Sequence, residues 1–220
     1  MRWPRGVPFV VVVAHIGALA LLTYSHSPVW QEPTQLAAGL SWWSFGRSDV
    51  VPVSPPLVPA VAGLGALLLR PVVDSGEFDR PPRGRYEHAR AQRFILDNRG
   101  TARRCFVYAG LACIPFSVLG AYSCWRASRA LFGTHSGLIA LLLWCSCPYI
   151  LGHATVITTD VPAAAVGMAA MACFWCWLRS PQWPNAVVAG VVLGFAELTK
   201  FTLLVFYPPP ANPLACLQAT

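Results

Sequence analysis

The sequence predicts an all-α protein: a polytopic bundle of transmembrane helices with a further helix lying at the membrane surface. Three observations lead there. Only 11% of the 220 residues are charged while 55% are hydrophobic, whereas a soluble domain carries about a quarter charged residues. The mean hydropathy of the whole chain is +0.52, and its apolar residues fall in long uncharged runs, as in chains that live in a bilayer. Between the first two runs stands the stretch 28–57, PVWQEPTQLAAGLSWWSFGRSDVVPVSPPL, which is neither a span nor an ordinary loop.

Six hydrophobic segments are expected as helices, at about 7–24, 55–73, 105–125, 136–157, 161–178 and 186–207. Only helices and closed barrels satisfy their backbone in lipid. The first segment follows Arg2 and Arg5 and reads as a signal peptide or a first transmembrane helix. No convincing small-residue cleavage site follows and more spans do, which favours the uncleaved helix. Its basic start is then cytoplasmic and Glu32 extracytoplasmic. His15, in mid-span, reads as a packed core histidine.

After Glu32-Pro33, residues 34–45 form a short amphipathic segment ending in Trp42, Trp43 and Phe45. Indoles suit the headgroup layer, being apolar with one polar N–H. Ser54-Pro55-Pro56-Leu57 then fixes φ and removes two donors, a suitable entry to the next helix. The polar region 74–104 carries eight arginines against five acids. Within it 86–98 reads as a surface helix stopped by Asn98 and Gly100. The fifth segment, Ala163 to Ala172, is rich in small residues that let helices approach closely. The chain divides as 1–207, a membrane domain; 26–54, its extracytoplasmic first loop; 74–104, the arginine-rich loop; and 208–220, an irregular tail after a run of prolines.

Charge and cysteine exclude several function classes. The net charge of +7 comes almost wholly from arginine, Lys200 being the one lysine. With no exposed aromatics between the arginines, anionic lipid headgroups are the expected partners and nucleic acid is not. Cys105, Cys113, Cys124, Cys145, Cys147, Cys173 and Cys176 fall in or beside apolar runs, so they read as packing thiols, including the Cys173-x-x-Cys176 pair. No glycine-rich phosphate loop, metal-ligand cluster or Ser-His-Asp arrangement is present, which leaves nucleotide hydrolysis and serine chemistry without support.

Charges at membrane depth are costly, and each surviving one is a candidate for function. Asp160 lies between two spans, where it either caps the helix starting Val161-Pro162 or serves a site. Glu197 and Lys200, three residues apart, are expected to form a neutralising pair on one face of the last span. His153 is a further candidate for a phosphate or hydroxyl contact.

The pattern Gln31-Glu32-Pro33-Thr34-Gln35, then Gly39, Trp42, Trp43 and Gly46, then Ser54-Pro55-Pro56-Leu57 resembles the first extracytoplasmic loop of GT-C class membrane glycosyltransferases. The branch is that of protein O-mannosyltransferases and aminoarabinose transferases, which commonly read Asp-Glu-Pro-x-His-x-x-x-Gly and later His- or Asn-Pro-Pro-Leu. The run from Pro148 to Thr158-Thr159-Asp160 resembles the second motif of that family, Pro followed by Ser/Thr-x-Asp. Three polar positions depart from the pattern: Gln31 for Asp, Gln35 for His, and Ser54 for His or Asn. Gln31 replaces the carboxylate the family uses as base.

The resemblance implies transfer of a sugar from a polyprenyl-phosphate donor to a hydroxyl of a protein, glycan or lipid acceptor, in the cell's inner membrane. Glu32 and Asp160 are then the catalytic carboxylates, with Arg47, His153 and Lys200 as substrate or phosphate contacts. No metal ligand is assigned, although the family allows a divalent cation. Strict alternation of spans would put Glu32 and Asp160 on opposite sides, so a shared site needs the 55–73 segment not to cross fully. The resemblance covers 20–207, the N-terminal part of such enzymes, so a truncated, inactive remnant is one alternative. A small transporter or channel subunit, with Asp160, Glu197 and Lys200 lining a pathway, is another.

Overall fold

The computed structural model describes residues 6–47, 51, 54–73 and 86–206. The tail 208–220, residues 74–85 of the arginine-rich loop, and Arg2 and Arg5 lie outside the described residues. The described chain is helical: α1 Val7–Ser25, α2 Glu32–Phe45, α3 Leu57–Leu67, α4 Tyr86–Asp97, α5 Ala102–Phe132, α6 Thr134–Ser146, α7 Pro148–His153, α8 Asp160–Arg179 and α9 Trp183–Glu197, then a 3-10 segment Phe201–Phe206. No strand occurs among the described residues.

α1, α5 and α8 are long and apolar enough to cross a membrane, and α3, α6 and α9 are shorter apolar helices. α3 has 11 residues, about 17 Å of helix, against a hydrocarbon core of about 30 Å. It cannot cross. α1 turns Phe9, Val10, Val13 and Leu21 outward, a surface that requires lipid. The protein is a helical membrane bundle.

Four segment boundaries differ from the sequence expectation: the helix expected over 55–73 is only Leu57–Leu67, that over 105–125 extends to Ala102–Phe132, and the remaining two differ as follows. The 136–157 segment is not one span. α6 stops at Ser146, Cys147 is extended at φ −63° and ψ 120°, and Pro148 opens the short α7. A proline disfavours the helical region for the residue before it. The 186–207 segment starts earlier, with Pro184 in the first turn of α9, and its α-helix ends at Glu197. Lys200 therefore sits beyond the helix.

α1, α5 and α6 are joined by polar contacts at their centre. The His15 ring lies 2.9 Å from Ser117 Oγ and 3.1 Å from the Cys145 carbonyl. The Trp144 indole N–H donates to the Ser117 carbonyl at 3.0 Å. The expected core histidine is thus a tie between three helices, each contact worth about 1 kcal/mol within lipid.

α2 crosses α3 where Gly39 meets the Pro59 carbonyl and Gly63. Around the crossing Leu36, Leu40, Val58, Ala62, Phe94, Phe106 and Ile157 form the largest core. α3 runs antiparallel to α5. Gly65 packs on the backbone at Tyr108 near the start of α5, while Leu57 and Val61 share a groove with Phe116 and Leu119, two to three turns deeper. The start of α5 meets the end of α1 through Arg103, which donates to the Tyr24 carbonyl at 3.0 Å. α3 thus enters deep and returns, and the end of α1, α2, α4 and the start of α5 share one end of the bundle. Asn98 closes that end, its side chain exchanging two 2.8 Å hydrogen bonds with the Val72 backbone.

The glycine crossing yields a test. Gly39→Val drives side-chain atoms into the Pro59 carbonyl and is expected to lower stability by about 1–3 kcal/mol, the range for overpacking. Gly17, with open space beside its Cα, should tolerate Ala. Equal denaturant midpoints for the two variants in detergent would show that the crossing does not hold α2 on α3.

Candidate functional site at the loop end of the bundle

Glu32 is placed by its own helix start. Pro33 sits in the first turn of α2, and the Glu32 N–H donates to the Val29 carbonyl at 3.0 Å. The Val29 N–H in turn donates to Glu32 Oε2 at 2.8 Å. The other oxygen, Oε1, accepts the N–H of Ile157 at 2.9 Å. One carboxylate therefore joins the first loop to the turn between α7 and α8, across 125 residues. Glu32 is 5% exposed. Burial holds its carboxyl above the usual carboxylate range, against the opposing pull of the Ile157 and Val29 N–H donors and of His26.

Three residues past Ile157, Asp160 opens α8, where a carboxylate also meets the positive end of the helix. Its Oδ1 is 3.1 Å from Lys200 Nζ, and both side chains are 44% exposed. The expected Glu197–Lys200 pair is not formed. With α9 ended at Glu197, Lys200 turns to α8, and Glu197 Oε1 is buried without a hydrogen-bond partner among the described residues. The Leu57 N–H donates to the Leu198 carbonyl at 3.1 Å, tying the start of α3 to the strand of chain that carries Lys200. Gln35 Nε2 donates to Ser54 Oγ at 3.2 Å, tying α2 to the same entry. Glu32, Gln35, Ser54, Asp160 and Lys200 are thus linked through neighbouring backbone at one end of the bundle.

The other two candidates are placed elsewhere. His153 stacks on Tyr149 at 4.3 Å and points Nδ1 at the Tyr149 carbonyl, 3.0 Å away, so its contacts are within α7. Arg47 follows Gly46, the left-handed cap of α2, a full 14-residue helix or about 20 Å from Glu32. Its carbonyl accepts from Ser41 Oγ at 3.0 Å.

Sequence reasoning missed the groups around Glu32. His26, Arg103 and Thr155 line a small cavity with it. Arg103 gave no signal, being one arginine of a polar stretch, and Thr155 lies in what read as the end of a span. The donor set does not fit a divalent cation. Both Glu32 oxygens accept backbone N–H groups, Asp160 already holds an ammonium, and no group of three His, Cys, Asp or Glu side chains occurs among the described residues.

Below the ion pair an apolar groove of about 580 Å³ runs between α3, α5, α8 and α9. Leu57, Val166 and Phe195 line its upper part, and Arg126 and Asn185 its far end. Val166 is six residues from Asp160 on α8, or about 9 Å.

The buried carboxyl sets a pH dependence. Its folded ionisation lies above the unfolded one, so the folded state holds the proton more tightly. Stability is then greatest below the unfolded value of about 4.5 and falls as pH rises through the raised folded value. Glu32→Gln is expected to flatten that decline in detergent unfolding measured across the acid range. A wild-type decline that persists unchanged in the variant would assign it to another group.

The family described as dolichyl-phosphate-mannose-protein mannosyltransferase matches residues 106–215, half of the chain, from the first turns of α5 past Lys200. No curated protein and no solved structure matches. The matched half contains Asp160, Lys200 and most of the groove, while Glu32 lies upstream and is bonded to it. The chain belongs to the dolichyl-phosphate-mannose-protein mannosyltransferase family, membrane glycosyltransferases of the GT-C type.

Proposed function

We propose that the chain transfers a sugar from a polyprenyl-phosphate donor to an acceptor hydroxyl at the end of the bundle where Glu32, Asp160 and Lys200 meet. The supporting observation is the 3.1 Å Asp160–Lys200 pair at the head of the apolar groove. A lipid phosphate needs a cation at its head and an apolar trough for its chain, and the two stand here in that order. Lys200 receives the phosphate. The half-exposed pair it leaves is worth only about 0.2–1 kcal/mol, so a phosphate diester displaces Asp160 at small cost. Until then Asp160 holds the ammonium at the start of α8, about 9 Å along the helix from Val166 of the groove.

In the transfer the bond from the sugar anomeric carbon to the phosphate oxygen breaks, and a new bond forms to the acceptor oxygen with inversion. Charge grows on the departing phosphate, where the Lys200 ammonium stabilises it. The acceptor proton goes to Glu32. Each carboxylate oxygen has two lone pairs, so the backbone donors at Glu32 leave room for it. A raised carboxyl brings this base nearer to neutral pH, where proton transfer is most effective.

The two roles separate experimentally. In nanodiscs, Lys200→Met should weaken binding of polyprenyl phosphate about tenfold, one lost charge-assisted contact of about 1.5 kcal/mol. Glu32→Gln should leave that binding intact and lower transfer by about 10²–10⁴, and Gln31→Asp should raise it. Binding indifferent to Lys200, or transfer indifferent to Glu32, sinks the corresponding role.

A further inference from the structure

We propose that the cavity between the end of α1, the start of α2, α5 and the 154–158 turn holds one water molecule joining Glu32 to Thr155 and His26, through which Glu32 returns its proton to solvent. The catalytic use of this link rests on Glu32 being the base; the link itself rests on geometry. The cavity measures about 20 Å³, and one water needs roughly 10–15 Å³ with two to four polar partners. Its polar lining is Thr23, His26, Ser27, Glu32, Arg103 and Thr155.

Two of these groups are already engaged. Thr23 Oγ1 donates to the Leu19 carbonyl at 2.7 Å, and Arg103 to the Tyr24 carbonyl. Thr155 is different: it is 4% exposed, and its hydroxyl finds no partner among the described residues. A buried hydroxyl left so costs about 1–3 kcal/mol. Glu32, 5% exposed, retains lone pairs beyond those given to Val29 and Ile157. A water between the two satisfies both. His26, the half-buried cap residue of α1, is the imidazole of this lining.

Other groups facing Glu32 cannot replace it. From α5 come the Arg103 guanidinium, which stays protonated and accepts no proton, and the Cys113 thiol, which is fully buried. The 154–158 turn brings only Thr155 and backbone. After transfer, Glu32 carries the acceptor proton on a carboxyl oxygen. That O–H bond breaks toward the water, and a water O–H bond breaks toward a His26 ring nitrogen. The imidazolium releases the proton to bulk, and the carboxylate is restored. His26 touches neither donor nor acceptor and is a positioning residue.

The test is an infrared titration of the full chain in nanodiscs, with the Glu32 carboxyl band assigned by its absence in Glu32→Gln. Thr155→Val should shift the band, and Thr155→Ser, which keeps the hydroxyl, should leave it in place. His26→Gln should raise the titration midpoint, through loss of a cationic neighbour, and slow deuterium exchange of the carboxyl about tenfold or more. A band, midpoint and exchange rate unmoved by both Thr155→Val and His26→Gln overturn the proposal. If Glu32→Gln abolishes transfer while those signals stay fixed, the base stands and the water link falls. If the signals move while Glu32→Gln transfers normally, the link stands and Glu32 is not the base.

Discussion

The carboxylate of Glu32 holds together two parts of the chain that local sequence alone could not join. The turn 154–158 interrupts helix between α7 and α8 and leaves backbone donors facing protein rather than water. A buried N–H without an acceptor costs about as much as a lost hydrogen bond, and in an apolar layer water does not relieve it. Glu32 Oε1 takes the Ile157 N–H while Oε2 takes that of Val29. Removing the carboxylate would strand both. The catalytic candidate and the keystone of the local fold are one group, so function and stability at this position are measured separately only through readouts such as binding and pH dependence.

The clasp has its effect because α3 is short. With 11 residues and an antiparallel return along α5, α3 enters and leaves on the same side. α5 then runs away from the first loop, α6 and α7 return along it, and the start of α8 comes back beside Glu32. Had the 55–73 segment crossed, Asp160 would lie a membrane thickness from Glu32. The glycines at the α2–α3 crossing allow this compact return, since a side chain on either would collide with the opposite backbone.

The fold was largely legible in the sequence. Uncharged runs marked the spans, paired tryptophans marked α2, and Pro55-Pro56 marked the entry to α3. What was misread followed from treating sequence neighbours as spatial ones. Glu197 and Lys200 pair on paper only if the helix continues past Glu197; once it stops, the partner is Asp160, 40 residues away. The span expected over 136–157 ignored the effect of Pro148 on Cys147. Arg103, His26 and Thr155 carried no motif at all, because their relation to Glu32 is set by how α1 and α5 meet.

The departures from the family pattern have a physical consequence for the site. Gln35 and Ser54 replace groups that titrate or bind metal with a neutral amide–hydroxyl pair, 3.2 Å apart, which serves to hold α2 against the α3 entry. Gln35 keeps its Oε1 buried and unpartnered, so this pair orders the backbone without adding charge. Gln31 contributes no carboxylate either. At this end Glu32, Asp160 and Glu197 stand with the Lys200 ammonium and with the guanidinium of Arg103, which lines the Glu32 cavity. A phosphate drawn to Lys200 would leave the Asp160 carboxylate free at the start of α8. The groove beside this end, with Leu57, Val166 and Phe195 in its upper part, adds apolar wall where the loop adds polar groups.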